Sequence, residues 1–160
     1  MNKSFNITLL SVLSLLVFSV VFAFFVEYGL GYKPCKLCLY QRYAYYVSIF
    51  LILNILIFKK YIKPTFMIIA LVSLIGSMIA FYHFGIEQGF FKENLVCEVK
   101  NLDNNLTKED ILNELSTVSI SCKEVAFRVF GLSLASINTI FSFVLFCIFV
   151  KLFKNHEINK

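Results

Sequence analysis

Two cysteines with two residues between them stand in the run Pro34-Cys35-Lys36-Leu37-Cys38, followed by Leu39-Tyr40-Gln41-Arg42 and then by sixteen residues without a charge. A Cys-x-x-Cys pair signals redox or metal chemistry, and its surroundings decide between the two. At the mouth of an apolar helix, a dithiol can pass electrons between a water-soluble partner and an acceptor dissolved in lipid. If Pro34 breaks the chain and a helix starts at about Cys35, unpaired N–H groups and the helix dipole stabilise a thiolate there. Cys35 and Cys38 then lie one turn apart on one face, and Arg42 follows four residues past Cys38 on that face. Its guanidinium is within reach of a Cys38 thiolate or of an acceptor beside it. The competing role for Arg42 is to extend its charge to the lipid headgroups.

Three further groups bear on the chemistry. His83 and Glu87 are spaced i, i+4 near the end of a later apolar segment, at about the depth of Arg42. A histidine beside a carboxylate relays protons at neutral pH, as a two-electron, two-proton acceptor requires; without the cysteines the pair reads equally well as a helix-end contact. Cys97 and Cys122 are separated by 24 residues. That spacing suits a disulfide closing a loop and is a poor match to a second Cys-x-x-Cys knuckle, so a four-cysteine zinc site is disfavoured and no metal is expected. The fifth cysteine, Cys147, lies among Phe146, Ile148 and Phe149, where a thiol is expected to act as a small buried hydrophobe.

The elements that position these residues are membrane spans. Of 160 residues, 59% are apolar and 16% charged, too much oil for an ordinary soluble domain. The charges leave four long gaps: Ser4 to Val26, Leu37 to Phe58 with only Arg42 inside, Pro64 to Ile86, and Val129 to Val150. A gap of that length covers about 33 Å as a helix, enough to cross a hydrocarbon core of about 30 Å. The first gap is too long for the core of a cleaved signal peptide and lacks a clear small-x-small site. An all-α, four-helix transmembrane bundle is expected, a single domain over 1–160 with spans at about 5–26, 37–58, 64–86 and 129–150 and outer loops at 27–36 and 87–128.

Charge sets the orientation. Lys3, Lys59, Lys60, Lys63, Lys151, Lys154 and Lys160 stand against a single acidic residue, Glu157, on the side that holds both termini. By the positive-inside rule that side is cytoplasmic, and the net charge of +5 reports topology rather than a nucleic-acid partner. Cys35, Cys38, Cys97 and Cys122 then all lie on the oxidising side, where disulfides persist.

Within the second outer loop, Thr107-Lys108-Glu109-Asp110 resembles a capping box, and Ile111, Leu112, Leu115 and Val118 share one helical face. A short amphipathic helix on the membrane surface is one reading, and a packed loop helix the other. Tyr28, Tyr32, Tyr40, Tyr43, Tyr45 and Tyr46 crowd the outer ends of the first two spans, as interfacial anchors do. The Asn6 and Asn105 glycosylation sequons are discounted, the first for its place at the inner end of a span and the second because it needs a eukaryotic secretory route.

The run Pro34 to Arg42 resembles the P-C-x-L-C-x-x-E/Q-R pattern of the DsbB family of bacterial inner-membrane thiol oxidases. Tyr82-His83-Phe84-Gly85-Ile86-Glu87 is similar to the Y-H-x-G-V-E motif of one branch, and Cys122 to Ala135 resembles that branch's passage into the fourth helix, with Lys123 where Asp is common. The vitamin K epoxide reductases are also four-helix proteins, but carry their Cys-x-x-Cys near a later helix. The resemblance implies that Cys35 and Cys38 form a quinone-coupled disulfide and that Cys97 and Cys122 form the disulfide meeting a periplasmic DsbA-like thioredoxin-fold oxidant. It further implies a ubiquinone or menaquinone held near Arg42, with His83 and Glu87 beside it, exchanged with the quinone pool of the membrane. Against this stand a structural four-helix membrane protein with disulfide-stapled outer loops, which leaves Arg42 and the Cys-x-x-Cys unexplained, and a transporter, weakened by the lack of charge near any helix centre.

Overall fold

The computed structural model of the chain describes residues 3–92, 121–123, 127–129 and 131–158. Cys97 and the capping box at 107–110 lie outside the described residues. The four apolar runs form helices: α1 (Lys3–Phe24), continued by a single π turn (Phe25–Gly29), α2 (Lys36–Phe58), α3 (Ile62–Glu87) and α4 (Leu134–Ile158). All four are long and apolar enough to cross a membrane. Each is apolar around most of its circumference, as a helix is when lipid replaces water on its outer face. Phe18, Phe50, Ile57, Met78 and Ile140 accordingly point outward, more than half exposed.

The hinge between α2 and α3 turns through two left-handed residues, Lys59 (φ 51°) and Tyr61 (φ 54°). Pro64 sits in the first turn of α3, where its missing N–H leaves no bond unmade. The fourth helix starts at Leu134, five residues later than the charge pattern placed its span. Arg128–Val129 (β1) instead pairs antiparallel with Leu132–Ser133 (β2) around Gly131, whose φ of 84° needs a residue without a Cβ. Ser133 then accepts a bond from Ser136 N at 3.2 Å, capping the helix start.

Small residues let the helices approach. Gly76 of α3 faces Ala44 of α2 so closely that an added Cβ would lie 3.3 Å from the Ala44 Cβ. On the neighbouring face Ser77 Oγ donates to the Thr139 carbonyl of α4 at 3.3 Å. One core cluster, with Leu9, Leu16, Ile52, Ile69, Phe66 and Phe149, binds all four helices. A second, smaller one joins Cys35, Leu37, Ile86 and Cys122 at the other end, and this is where the chemistry lies. Two expectations are corrected. Cys147 is exposed on the outer face of α4 instead of buried, because the inward positions of that turn are taken by Leu145 and Phe149. Tyr45 turns into the bundle instead of anchoring at the interface, because its hydroxyl finds Asn138 and Ser142 there.

Candidate active site

Cys35 is the N-cap of α2, with extended backbone (φ −72°, ψ 165°), and its sulfur accepts from Cys38 N at 3.3 Å. A capping position aims a side chain at the unpaired N–H groups of the first turn, which favours a thiolate. The Cys35 and Cys38 sulfurs are 2.7 Å apart as free thiols, needing little closing movement to bond. The bond from Cys38 and the contact with His83 outweigh burial and bring the Cys35 thiol down to about 5.

From α3, His83 enters between the other helices and is only 4% exposed. Its Nε2 lies 3.5 Å from Cys35 Sγ and 3.7 Å from Glu87 Oε1. Its Nδ1 lies 3.3 Å from Gln41 Nε2. Gln41 in turn accepts from Asn138 Nδ2 of α4, and Asn138 Oδ1 accepts from the Tyr45 hydroxyl. A polar chain thus runs from α4 through α2 to the dithiol.

Arg42 does not stand free beside Cys38. Its Nη1 donates to Glu27 Oε2, presented by the π turn that ends α1, and its guanidinium lies 5.4 Å from the Phe24 ring centroid. Single π turns often mark functional sites, and this one carries the arginine's partner.

The second outer segment returns to the same place. Cys122 is fully buried and disulfide-bonded. Its sulfur, the Cys35 sulfur and a ring nitrogen of His83 all lie within 4.8 Å of one another. The same three residues have the donor types of a metal site, but a sulfur held in a disulfide is not a thiolate ligand. Beside them opens a cavity of about 440 Å³ between α1 and α4, lined by Cys35, Cys38, Arg42, His83 and Glu87 at its polar wall and by rings such as Phe22, Phe127 and Phe141. Phe127 closes one side, 5.7 Å from the Tyr32 ring and 6.4 Å from that of Phe22.

Five of the expected site residues, Cys35, Cys38, Arg42, His83 and Glu87, therefore line one cavity, with Cys122 buried against Cys35 and His83. The sequence reading missed Glu27, Gln41, Asn138 and Phe127. In the sequence Glu27 does no more than bound the first apolar run, and Gln41 no more than fill a place in the Pro34 to Arg42 run. Asn138, an amide inside an apolar run, was a signal in itself, since such a group needs a partner in the bundle.

The chain matches the family Disulfide bond formation protein DsbB over residues 5–152. It belongs to the DsbB family. It is similar to Uncharacterized protein RP370 of Rickettsia prowazekii (strain Madrid E), 27% identical over 145 residues, or 89% of this chain and 83% of the relative. It is also similar to the SPbeta prophage-derived disulfide bond formation protein B of Bacillus subtilis (strain 168), 37% identical over 83 residues, covering 51% of this chain and 53% of that protein. No solved structure matches the chain significantly. As a DsbB-family chain with four helices able to span a bilayer, it is an integral membrane protein of disulfide bond formation, a role that implies a disulfide-exchange partner.

Proposed function

We propose that the protein is a quinone-linked thiol oxidase of the bacterial inner membrane, with both termini cytoplasmic, that reoxidises a periplasmic DsbA-like thioredoxin-fold partner and delivers the electrons to ubiquinone or menaquinone. One observation carries the reading: the Cys122 sulfur lies within 4.8 Å of that of Cys35, beside a dithiol on the wall of an aromatic cavity.

The exchange balances as follows. A partner thiolate attacks Cys97 and breaks its bond to Cys122, which leaves as a thiolate. Cys122 attacks Cys35 and breaks the Cys35–Cys38 bond, so that the electron pair goes to Cys38. The partner's second thiol displaces Cys97 and leaves the partner oxidised. Cys97 then rejoins Cys122, and Cys35 departs as a thiolate, which its lowered pKa makes a good leaving group. Two electrons now rest on Cys35 and Cys38, and two protons have been released.

The cavity fits a quinone: its rings suit a flat headgroup and isoprenoid tail, and Arg42 supplies hydrogen-bond donors at one wall. A bound quinone supplies a two-electron, two-proton acceptor of higher potential than a dithiol couple. Arg42 would hold a headgroup oxygen, Phe22, Phe127 and Phe141 would exclude water, and His83 with Glu87 would keep a proton beside Cys35.

The test is purified protein in nanodiscs with a reduced DsbA-type partner and a short-chain ubiquinone. One quinol should form per partner disulfide, and Cys38→Ala should abolish quinol formation. Partner oxidation that stops after one turnover despite added quinone would reject the reading in favour of stapled structural loops.

A further inference from the structure

The polar chain beyond His83 consists of groups that the exchange chemistry does not use. Gln41 is 6% exposed and Ser142 is 2% exposed, in helices that otherwise bury hydrocarbon. Buried amides are costly unless every donor meets an acceptor, so the order of their bonds carries information.

That order runs one way. The Tyr45 and Ser142 hydroxyls both donate to Asn138 Oδ1, the latter at 3.4 Å. Asn138 Oδ1 thereby becomes the acceptor end, which leaves Nδ2 to donate to Gln41 Oε1. Gln41 is then fixed with Nε2 toward His83 Nδ1, at 3.3 Å. An amide nitrogen only donates, so Nδ1 must present its lone pair, and the proton of a neutral imidazole is placed on Nε2. Turning one amide over would set two donors or two acceptors face to face; turning both over together would satisfy the hydroxyls, which also accept, but would move the neutral ring's proton to Nδ1 and leave Nε2 without an N–H between the Cys35 sulfur and the Glu87 carboxylate.

We propose that Asn138 and Gln41 are positioning residues that fix His83 as its Nε2–H tautomer and aim that N–H at the Cys35 sulfur and the Glu87 carboxylate. The assignment deepens the thiol-oxidase reading and rests on it for its purpose. Nε2 stands between two acceptors, Cys35 Sγ at 3.5 Å and Glu87 Oε1 at 3.7 Å. When Cys35 is a thiolate the N–H supports it; when Cys35 is in a disulfide, a poorer acceptor, the N–H turns to Glu87. Glu87 Oε2 is buried and has no hydrogen-bond partner among the described residues, while Arg128 and Ser133 also face this carboxyl. Cys38 faces Cys35, and a Cys122 backbone group faces His83. Without the amide chain, only the Cys35 and Glu87 acceptors hold the proton on Nε2, and no donor faces Nδ1 to exclude the other tautomer.

The sequence contains two histidines, His83 and His156, so the full chain labelled with ring-15N histidine gives two sets of ring signals, assigned with His156→Gln. In reduced protein in nanodiscs, without quinone or partner, His83 should show one tautomer, protonated at Nε2. Asn138→Leu and Gln41→Leu should each release it to a mixture. In both, alkylation of Cys35, followed by peptide mass spectrometry, should slow about fivefold near pH 5 and recover by neutral pH. A wild-type His83 protonated at Nδ1 overturns the proposal, and so does a tautomer or a Cys35 pH profile unmoved in both variants. If one variant fails to fold, the wild-type spectrum and the other variant still decide. Because neither readout uses quinone, a protein that keeps the tautomer but reduces no quinone overturns only the function proposed above.

Discussion

Arg42 of α2 and Glu27 of the π turn after α1 form an ion pair in which both side chains are mostly buried, 13% and 19% exposed. Each neutralises the other where an unpaired charge would be most costly. The cavity wall beside Cys38 is therefore polar and close to neutral, which suits an uncharged acceptor. Nη2 also reaches the Ala23 carbonyl at 3.5 Å, and two acceptors still do not saturate the five guanidinium donors.

Glu27→Gln should loosen the arginine and raise the KM for a soluble quinone about tenfold, with partner exchange at Cys97 unchanged. Arg42→Met should cost about 3–5 kcal/mol in detergent unfolding, by leaving Glu27 buried and unpaired. Glu27→Leu with Arg42→Met should recover most of that stability and none of the quinone turnover. Normal quinone kinetics in the double variant would make the pair a helix anchor only.

Cys35 should be a thiolate at neutral pH in the reduced protein, since its pKa falls from 9.0 to about 5. Its alkylation rate should be flat between about pH 6 and pH 8 and fall below about pH 5. The depressed value means that the reduced fold is stabilised fully above about pH 9 and loses that stability as pH falls through about 5. Cys38→Ala removes the largest cause and should move the alkylation midpoint upward.

Cys122→Ser should trap the partner. With the resolving sulfur gone, a mixed disulfide between Cys97 and the partner should accumulate on non-reducing gels. A trapped species that runs through Cys35 would reverse the order of the relay.

Gly85→Val should distort the exit from α3. The Phe91 ring lies where a Cβ at Gly85 would stand, and Phe90 N and Phe91 N bond the Gly85 carbonyl at 2.8 and 3.2 Å. Displacing the ring should cost about 1–3 kcal/mol in thermal unfolding. An unchanged melting temperature would show that this packing contributes nothing.

The chain by itself determined the membrane frame and the chemical groups. Four apolar runs are a local property, readable because a bilayer imposes a length on each segment separately. Cys35, Cys38 and Arg42 could be placed on one face for the same reason, as helical spacing is local. What the bundle decided is who meets whom. Asn138 reaches Gln41 across 97 positions of chain, Arg42 turns to Glu27 across 15, and His83 comes to Cys35 across 48. Such pairings depend on helix rotation and on close approaches like Gly76 against Ala44, which periodicity cannot specify when every face of a helix is apolar. Burial then makes the choice binding, since a polar group inside the bundle must take whichever partner the packing brings.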